Sequence, residues 1–342
     1  MELYRCTPRQ VYTYIIDIIQ AGLVPYIRSS PGMGKSSIVR KVGKNFKLKT
    51  IDHRLSTSAP EDLSGLPHFE NGFACFSPFR DLFPIEGDPL VGDTEGWLLF
   101  LDEFNAAPRS VQAASYKLIL DRMIGQHNLH SKCAVVAAGN LDTDRAITNP
   151  LSTAMQSRVI HLEMELNHKQ WMEDVAITEK YDSRVTAYLN AYPDDLMDFR
   201  PDHQNKTFCC PRTWSFMNDL VFGKTIDDSR IPMYAGTLTP EIAAKFVQFT
   251  KVFASLVTIA EVMRDPDTCR VPEDMATRWA VVSHLMEVVT DTNLKQVLQY
   301  INRYDLSFKI IFFRGIIIRH PTFRQHSAFI SNLSSMARYL HD

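Results

Sequence analysis

Ser29-Ser30-Pro31-Gly32-Met33-Gly34-Lys35-Ser36 sets small residues, two glycines, a lysine and a hydroxyl in the order that grips a nucleotide's phosphates. Glycines let successive backbone N–H groups turn inward on an anion, and a following helix adds the positive end of its dipole. Lys35 would reach the terminal phosphates, and the Ser36 hydroxyl would help hold Mg²⁺. Ser30, Pro31, Gly32, Met33, Gly34, Lys35, Ser36 and Ser37 are therefore the expected nucleotide-binding residues. Ser29 stands at the first glycine position of this pattern. Serine disfavours positive φ, so an altered loop is expected there.

Two carboxylates come next. Asp102 and Glu103 end the apolar run Trp97-Leu98-Leu99-Phe100-Leu101. Ligands of open α/β sheets bind outside the carboxyl ends of strands, so these acids should face the phosphate loop. Asp102 suits Mg²⁺, with Ser36 as its companion ligand. Glu103 suits activation of an attacking water. An Asp-Glu pair is ordinarily a solvated strand end; the apolar run before it and the phosphate loop upstream favour hydrolysis. Asn140 ends another apolar run, Cys133 to Ala138, where an amide would orient water against a γ-phosphate. Taken alone, such an Asn is more often a turn residue.

Charge of the opposite sign is harder to assign. Arg158 follows a short helical stretch, where a cation suits the dipole in any case. Arg109, Arg122 and Arg145 compete with it for any role needing a guanidinium. Arg212 follows Pro211, which reads as the first helical residue, so this cation sits at the end of a helix that disfavours it. A nearby anion would explain that; ATP or a surface carboxylate would serve equally.

These residues need a frame that brings strand ends together. Leu23 to Ile27, Leu48 to Leu55, Trp97 to Leu101, Cys133 to Ala138 and Val159 to Met164 read as strands. Helical patterns separate them: one with Ile38, Val39 and Val42 inward, another after Pro108 with Val111, Ala114, Leu118 and Ile119 inward. Such alternation predicts an α/β fold with a mostly parallel sheet covered on both faces. Thr7-Pro8-Arg9-Gln10 reads as a capped helix start, and Asn149-Pro150 as another, with a helix running to Ser157-Arg158. Asn71-Gly72 marks a hairpin within His68–Phe76. After Leu166 the pattern turns helical. The expected division is 1–165 as the nucleotide-binding α/β domain, 166–263 as a helical lid and 264–342 as a helical C-terminal region of unassigned role.

Composition narrows the class. Of 342 residues 45% are hydrophobic and 22% charged, with a net charge of −2, the profile of a soluble globular protein without a global basic field for nucleic acid or membrane. The stretch Phe308 to His320 mixes bases with apolar residues and reads as a buried helix whose arginines snorkel or pair. Six cysteines are scattered without metal-ligand spacing, as expected of free thiols in a reducing cytoplasm. Met1 to Cys6 is too polar for a signal peptide, and Ile310 to Ile318, broken by Arg314, is too short to span a bilayer.

In this order the motifs resemble the AAA+ ATPases, and within them the MoxR-like clade, over roughly Thr7 to Val221. Residues 29–36 fall on Walker A, Leu98–Glu103 on Walker B and Asn140 on sensor 1. Arg158 in Ala154-Met155-Gln156-Ser157-Arg158-Val159 falls on the arginine finger, and Arg212 in Pro211-Arg212-Thr213-Trp214 on sensor 2. Leu55-Ser56, Pro60 to Pro67 and Asp102-Glu103-Phe104-Asn105-Ala106-Ala107-Pro108 are similar to the clade in particular. The His68–Phe76 hairpin corresponds to its helix-2 insert, and Gly125–Ser131 to the hairpin before sensor 1. The resemblance implies an Mg²⁺-dependent ATPase working as a homo-oligomeric ring, commonly a hexamer, with ATP between protomers. Arg158 would act in trans and Arg212 would close its own lid. It also implies chaperone-like remodelling of a protein client, often beside a von Willebrand factor A domain protein. Two other readings remain: a nucleic-acid motor or loader, and a nucleotide-binding subunit without turnover.

Overall fold

Apolar strands that alternate with amphipathic helices set the layout of the first half of the chain. The computed structural model describes residues 4–144 and 148–333. They divide into two compact units, one up to Asn167 together with Arg200–Asp202, the other made of His168–Phe199 and the described residues from His203 onward. Arg145, and the end of the 264–342 region, lie outside the described residues.

The first unit begins with β1 (Arg5–Cys6), α1 (Pro8–Gln20), β2 (Pro25–Arg28), α2 (Lys35–Asn45) and β3 (Leu48–Arg54). There follow α3 (Pro60–Ser64), the hairpin β4 (Leu66–Glu70) and β5 (Phe73–Ser77), β6 (Gly96–Asp102) and α4 (Arg109–Leu120). It ends with the small hairpin β7 (Met123–Ile124) and β8 (His127–Asn128), then β9 (Cys133–Gly139), α5 (Thr153–Gln156) and β10 (Ile160–Met164). Thr7 caps α1 as its sequence predicts: its Oγ1 accepts from the Gln10 N–H at 3.4 Å while Gln10 Oε1 accepts from the Thr7 N–H at 2.9 Å. Asn71 and Gly72 both take positive φ, 50° and 82°, the requirement of a two-residue turn between twisted strands.

Six strands form one all-parallel sheet in the order β1-β10-β2-β9-β6-β3. Successive side chains of a strand point to opposite faces. Tyr26, Leu99, Leu101, Val135 and Ala137 accordingly share one core with Val111, Leu118 and Ile119 of α4 and Met155 of α5. The helices α1 and α2 pack on the strands elsewhere, α2 touching β3, β6 and β9. Both faces are covered, which explains why the central strands read as unbroken apolar runs.

The helix expected from Asn149-Pro150 is a correction. Only Thr153–Gln156 is helical, capped by Ser152, whose Oγ accepts from the Met155 N–H at 3.3 Å. The Asn149 amide is used elsewhere, donating to the Ala107 carbonyl at 2.9 Å. A tertiary hydrogen bond has taken the side chain that local chemistry assigned to a cap.

The second unit is helical: α6 (His168–Trp171), α7 (Ser183–Ala191), α8 (Pro211–Val221), α9 (Ile231–Ala235) and α10 (Pro240–Lys251), then α11 (Ile259–Arg264), α12 (Met275–Val288), α13 (Leu294–Ile301), α14 (Leu306–Arg319) and α15 (Ser327–Leu333). Trp279, Leu285, Val297, Phe308, Phe312 and Phe313 anchor a core of α12, α13 and α14. Within α14, Arg314 is buried and meets Glu173 at 2.7 Å, and Arg319 donates to the Tyr181 carbonyl at 3.1 Å. The two arginines of this stretch are taken up inside the unit. Among the described residues no helix is long and apolar enough to cross a membrane.

Candidate functional site

Strand register decides which residues meet. Arg28 lies opposite Gly139, Leu101 opposite Ala137 and Arg54 opposite Asp102. The carboxyl ends of β2, β6 and β9 are therefore level, and the loop after β2 lies at the edge that carries Asp102, Glu103 and Asn140.

The phosphate loop turns on Gly32 and Gly34, with φ of 76° and 89°. No side chain caps α2 at Gly34, and its first turn holds no acid, so its leading N–H groups remain suited to an anion. Ser29 keeps φ outside the left-handed region, so its position needs no glycine. Fully buried, it takes part in holding Lys35: the ammonium donates to the Ser29 carbonyl at 2.9 Å, the Ser29 hydroxyl at 3.1 Å and the Ser30 carbonyl at 3.3 Å. The same ammonium donates to Asn140 Oδ1 at 3.2 Å. The Ser36 hydroxyl donates to Asp102 Oδ2 at 3.1 Å. A hydroxyl and a carboxylate oxygen in contact, beside a buried cation, fit a hard divalent ion and the phosphates it would accompany.

Glu103 adopts φ of 56°, a backbone conformation costing on the order of 1–3 kcal/mol for a residue with a side chain. Two contacts hold it there. Its N–H donates to Asp102 Oδ1 at 2.8 Å, and its carboxylate accepts a hydrogen bond from the Ser56 hydroxyl. Ser56, just past the end of β3, positions Glu103, a role that sequence reasoning missed. Asn105 was missed likewise. Buried beneath Asn140, it donates from Nδ2 to the Asn140 carbonyl at 2.8 Å and accepts the Asn140 N–H on Oδ1 at 3.0 Å. Both stand in stretches that resemble the MoxR-like clade, but nothing local names their partners, which are far along the chain.

The wedge between Asn105 and Asn140 depends on Gly139. A Cβ there would collide with Asn105 Oδ1 and with the Tyr26 hydroxyl, a phenol whose pKa burial pushes well above its usual value. Gly139→Ala is expected to cost about 1–3 kcal/mol through overpacking. A denaturant midpoint equal to that of the parent would show that the wedge has room to spare.

Of the described guanidinium candidates in the first unit, Arg158 and Arg122 lie away from this edge. Ile160 pairs with Pro25 and Glu163 with Arg28, so Arg158 lies beyond the amino ends of the strands, roughly 15–20 Å from the phosphate loop at the rise of a strand. There its guanidinium lies over the Tyr116 ring, 5.7 Å from the centroid, and donates to the Ala154 carbonyl. Arg122 donates to the Cys133 carbonyl at the amino end of β9, and Arg109 is exposed at the start of α4. Arg212 is exposed in the first turn of α8, which starts at Pro211 as expected, within the helical unit.

No family model matches the chain, and no curated protein does. Solved structures resemble it loosely. A candidate ATPase of Cytophaga hutchinsonii is 13% identical, with 97% of this chain and 88% of that one covered and a TM-score of 0.35. NtrX of Brucella abortus is 14% identical, with 98% and 69% covered and a TM-score of 0.40. A point mutant of RuvB from Thermotoga maritima is 14% identical, with 84% and 86% covered and a TM-score of 0.38. Likeness of this degree carries no argument about activity, which has to rest on the residues of the site.

Proposed function

We propose that this chain is an Mg²⁺-dependent ATPase of the AAA+ type, MoxR-like in its motifs, that works as a homo-oligomeric ring and remodels or activates a protein client. The observation that carries the reading is the contact of Ser36 with Asp102, which puts the phosphate loop against the acids at the end of β6. With Lys35 touching Asn140, three separate segments converge at one sheet edge.

The loop N–H groups and Lys35 bind the β- and γ-phosphates. Ser36 and Asp102 would hold Mg²⁺, which would neutralise charge on the phosphate oxygens. Glu103, steadied by Ser56, takes a proton from the attacking water, and the Asn140 amide orients that water. Arg158 lies too far from its own phosphate loop to assist there, which supports action on a neighbour's γ-phosphate. A guanidinium in that role is worth about 10³–10⁵ in rate. Arg212 would close the lid, residues 166–263. A von Willebrand factor A domain protein is the kind of partner this reading implies. The inward pairing of Arg314 and Arg319 counts against a nucleic-acid motor built on that stretch.

The test is phosphate release from ATP and Mg²⁺, measured with sizing in the presence and absence of nucleotide. Assembly with turnover is expected. Rings that form yet release no phosphate would overturn the enzymatic reading. Arg158→Ala and Lys35→Ala, each inactive alone, should regain activity when mixed, because each completes the other's half-site. Mixed rings that stay inactive would remove Arg158 from catalysis in trans.

A further inference from the structure

The β4–β5 hairpin gathers groups that the spacing of the cysteines does not reveal. His68 pairs directly across the strands with Cys75, and Glu70, two residues from His68, projects from the same face. One imidazole nitrogen, one carboxylate oxygen and the thiol sulfur lie within 4.8 Å of one another. His68 Nε2 is 3.8 Å from Glu70 Oε2. A tetrahedral ion with bonds of about 2.0–2.3 Å spaces its ligands by about 3.3–3.8 Å, so small rotations of these surface side chains complete the set.

A second contact addresses the ligand geometry itself. Ser77 Oγ lies 3.0 Å from His68 Nδ1. When Nδ1–H donates to that hydroxyl, the ring is fixed in the tautomer whose Nε2 lone pair faces Glu70. Metal-bound histidines are characteristically held in this way from behind. Attraction between a surface histidine and a glutamate would account for two of these groups, and for neither the thiol nor the hydroxyl.

We propose that His68, Glu70 and Cys75 form a binding site for a divalent ion of the zinc class, with water in the fourth position. Thiolate, imidazole and carboxylate together suit a borderline-soft ion, and the two anionic ligands neutralise its charge. Such an ion ties β4 to β5. A two-stranded hairpin is marginal by itself, so the cross-link would fix the shape of this projection from the α/β unit.

The test titrates the reduced, chelator-stripped full chain with Co²⁺ and then Zn²⁺. The expected result is one equivalent bound, a near-ultraviolet thiolate-to-cobalt band, and loss of that band as Zn²⁺ displaces Co²⁺. Cys75→Ser should abolish the band, whereas Cys269→Ser, at the other half-exposed cysteine, should retain it. Ser77→Ala, which keeps all three ligands, should weaken affinity about tenfold or more. A full chain with no saturable band, or a band that survives Cys75→Ser, overturns the proposal. Neither result depends on ATP hydrolysis.

Discussion

Lys35→Ala is expected to remove ATP binding detectable by calorimetry while the protein remains folded. The Lys35 ammonium is buried and is held by the Ser29 and Ser30 carbonyls, the Ser29 hydroxyl and Asn140. It is thus oriented before any phosphate arrives, and little ordering is needed on binding. Deleting one member of a desolvated charge pair costs about 2–5 kcal/mol, an affinity loss of about 30- to 5,000-fold. Carbonyls that lose a donor cost some stability too, so the thermal midpoint should be read alongside. ATP binding at parent affinity in a folded Lys35→Ala protein would exclude the phosphate role and, with it, the ATPase reading.

Glu103→Gln should separate binding from turnover. Glutamine is nearly the same shape and can still accept from Ser56, so the strained backbone at φ 56° keeps its support. What disappears is the capacity to take a proton from water. Loss of a positioned general base costs about 10²–10⁴ in rate. Phosphate release should fall by that factor while ATP affinity stays close to that of the parent. A decrease smaller than tenfold would move the base elsewhere and leave Glu103 as the terminus of a strand.

The two variants probe opposite sides of one contact. Lys35 belongs to the loop after β2, and Glu103 to the turn after β6. Only the alignment of those strand ends makes them parts of one site. If Lys35→Ala abolishes binding while Glu103→Gln leaves turnover unaffected, the phosphate loop stands and the hydrolytic half of the proposal falls.

The order of the chemical groups was legible because each is announced by its own neighbours. A strand, then Gly32, Gly34, Lys35 and Ser36, then a helix is a local arrangement, as is a carboxylate pair closing an apolar run. Period-two and helical patterning therefore located the central strands, the capping of α1 by Thr7, the Asn71-Gly72 hairpin and the start of α8 at Pro211. Local rules failed at Asn149, whose amide the Ala107 carbonyl claims. They were silent about Ser56 and Asn105, whose partners lie 47 and 35 positions away along the chain. Cys75 gave no metal signal either, because its companions stand across a hairpin rather than at a fixed interval. By itself the sequence determined which chemistry-bearing groups exist and which strand ends carry them. Tertiary structure alone decided which of them touch: strand register sets the distances, and register depends on the packing of both sheet faces at once.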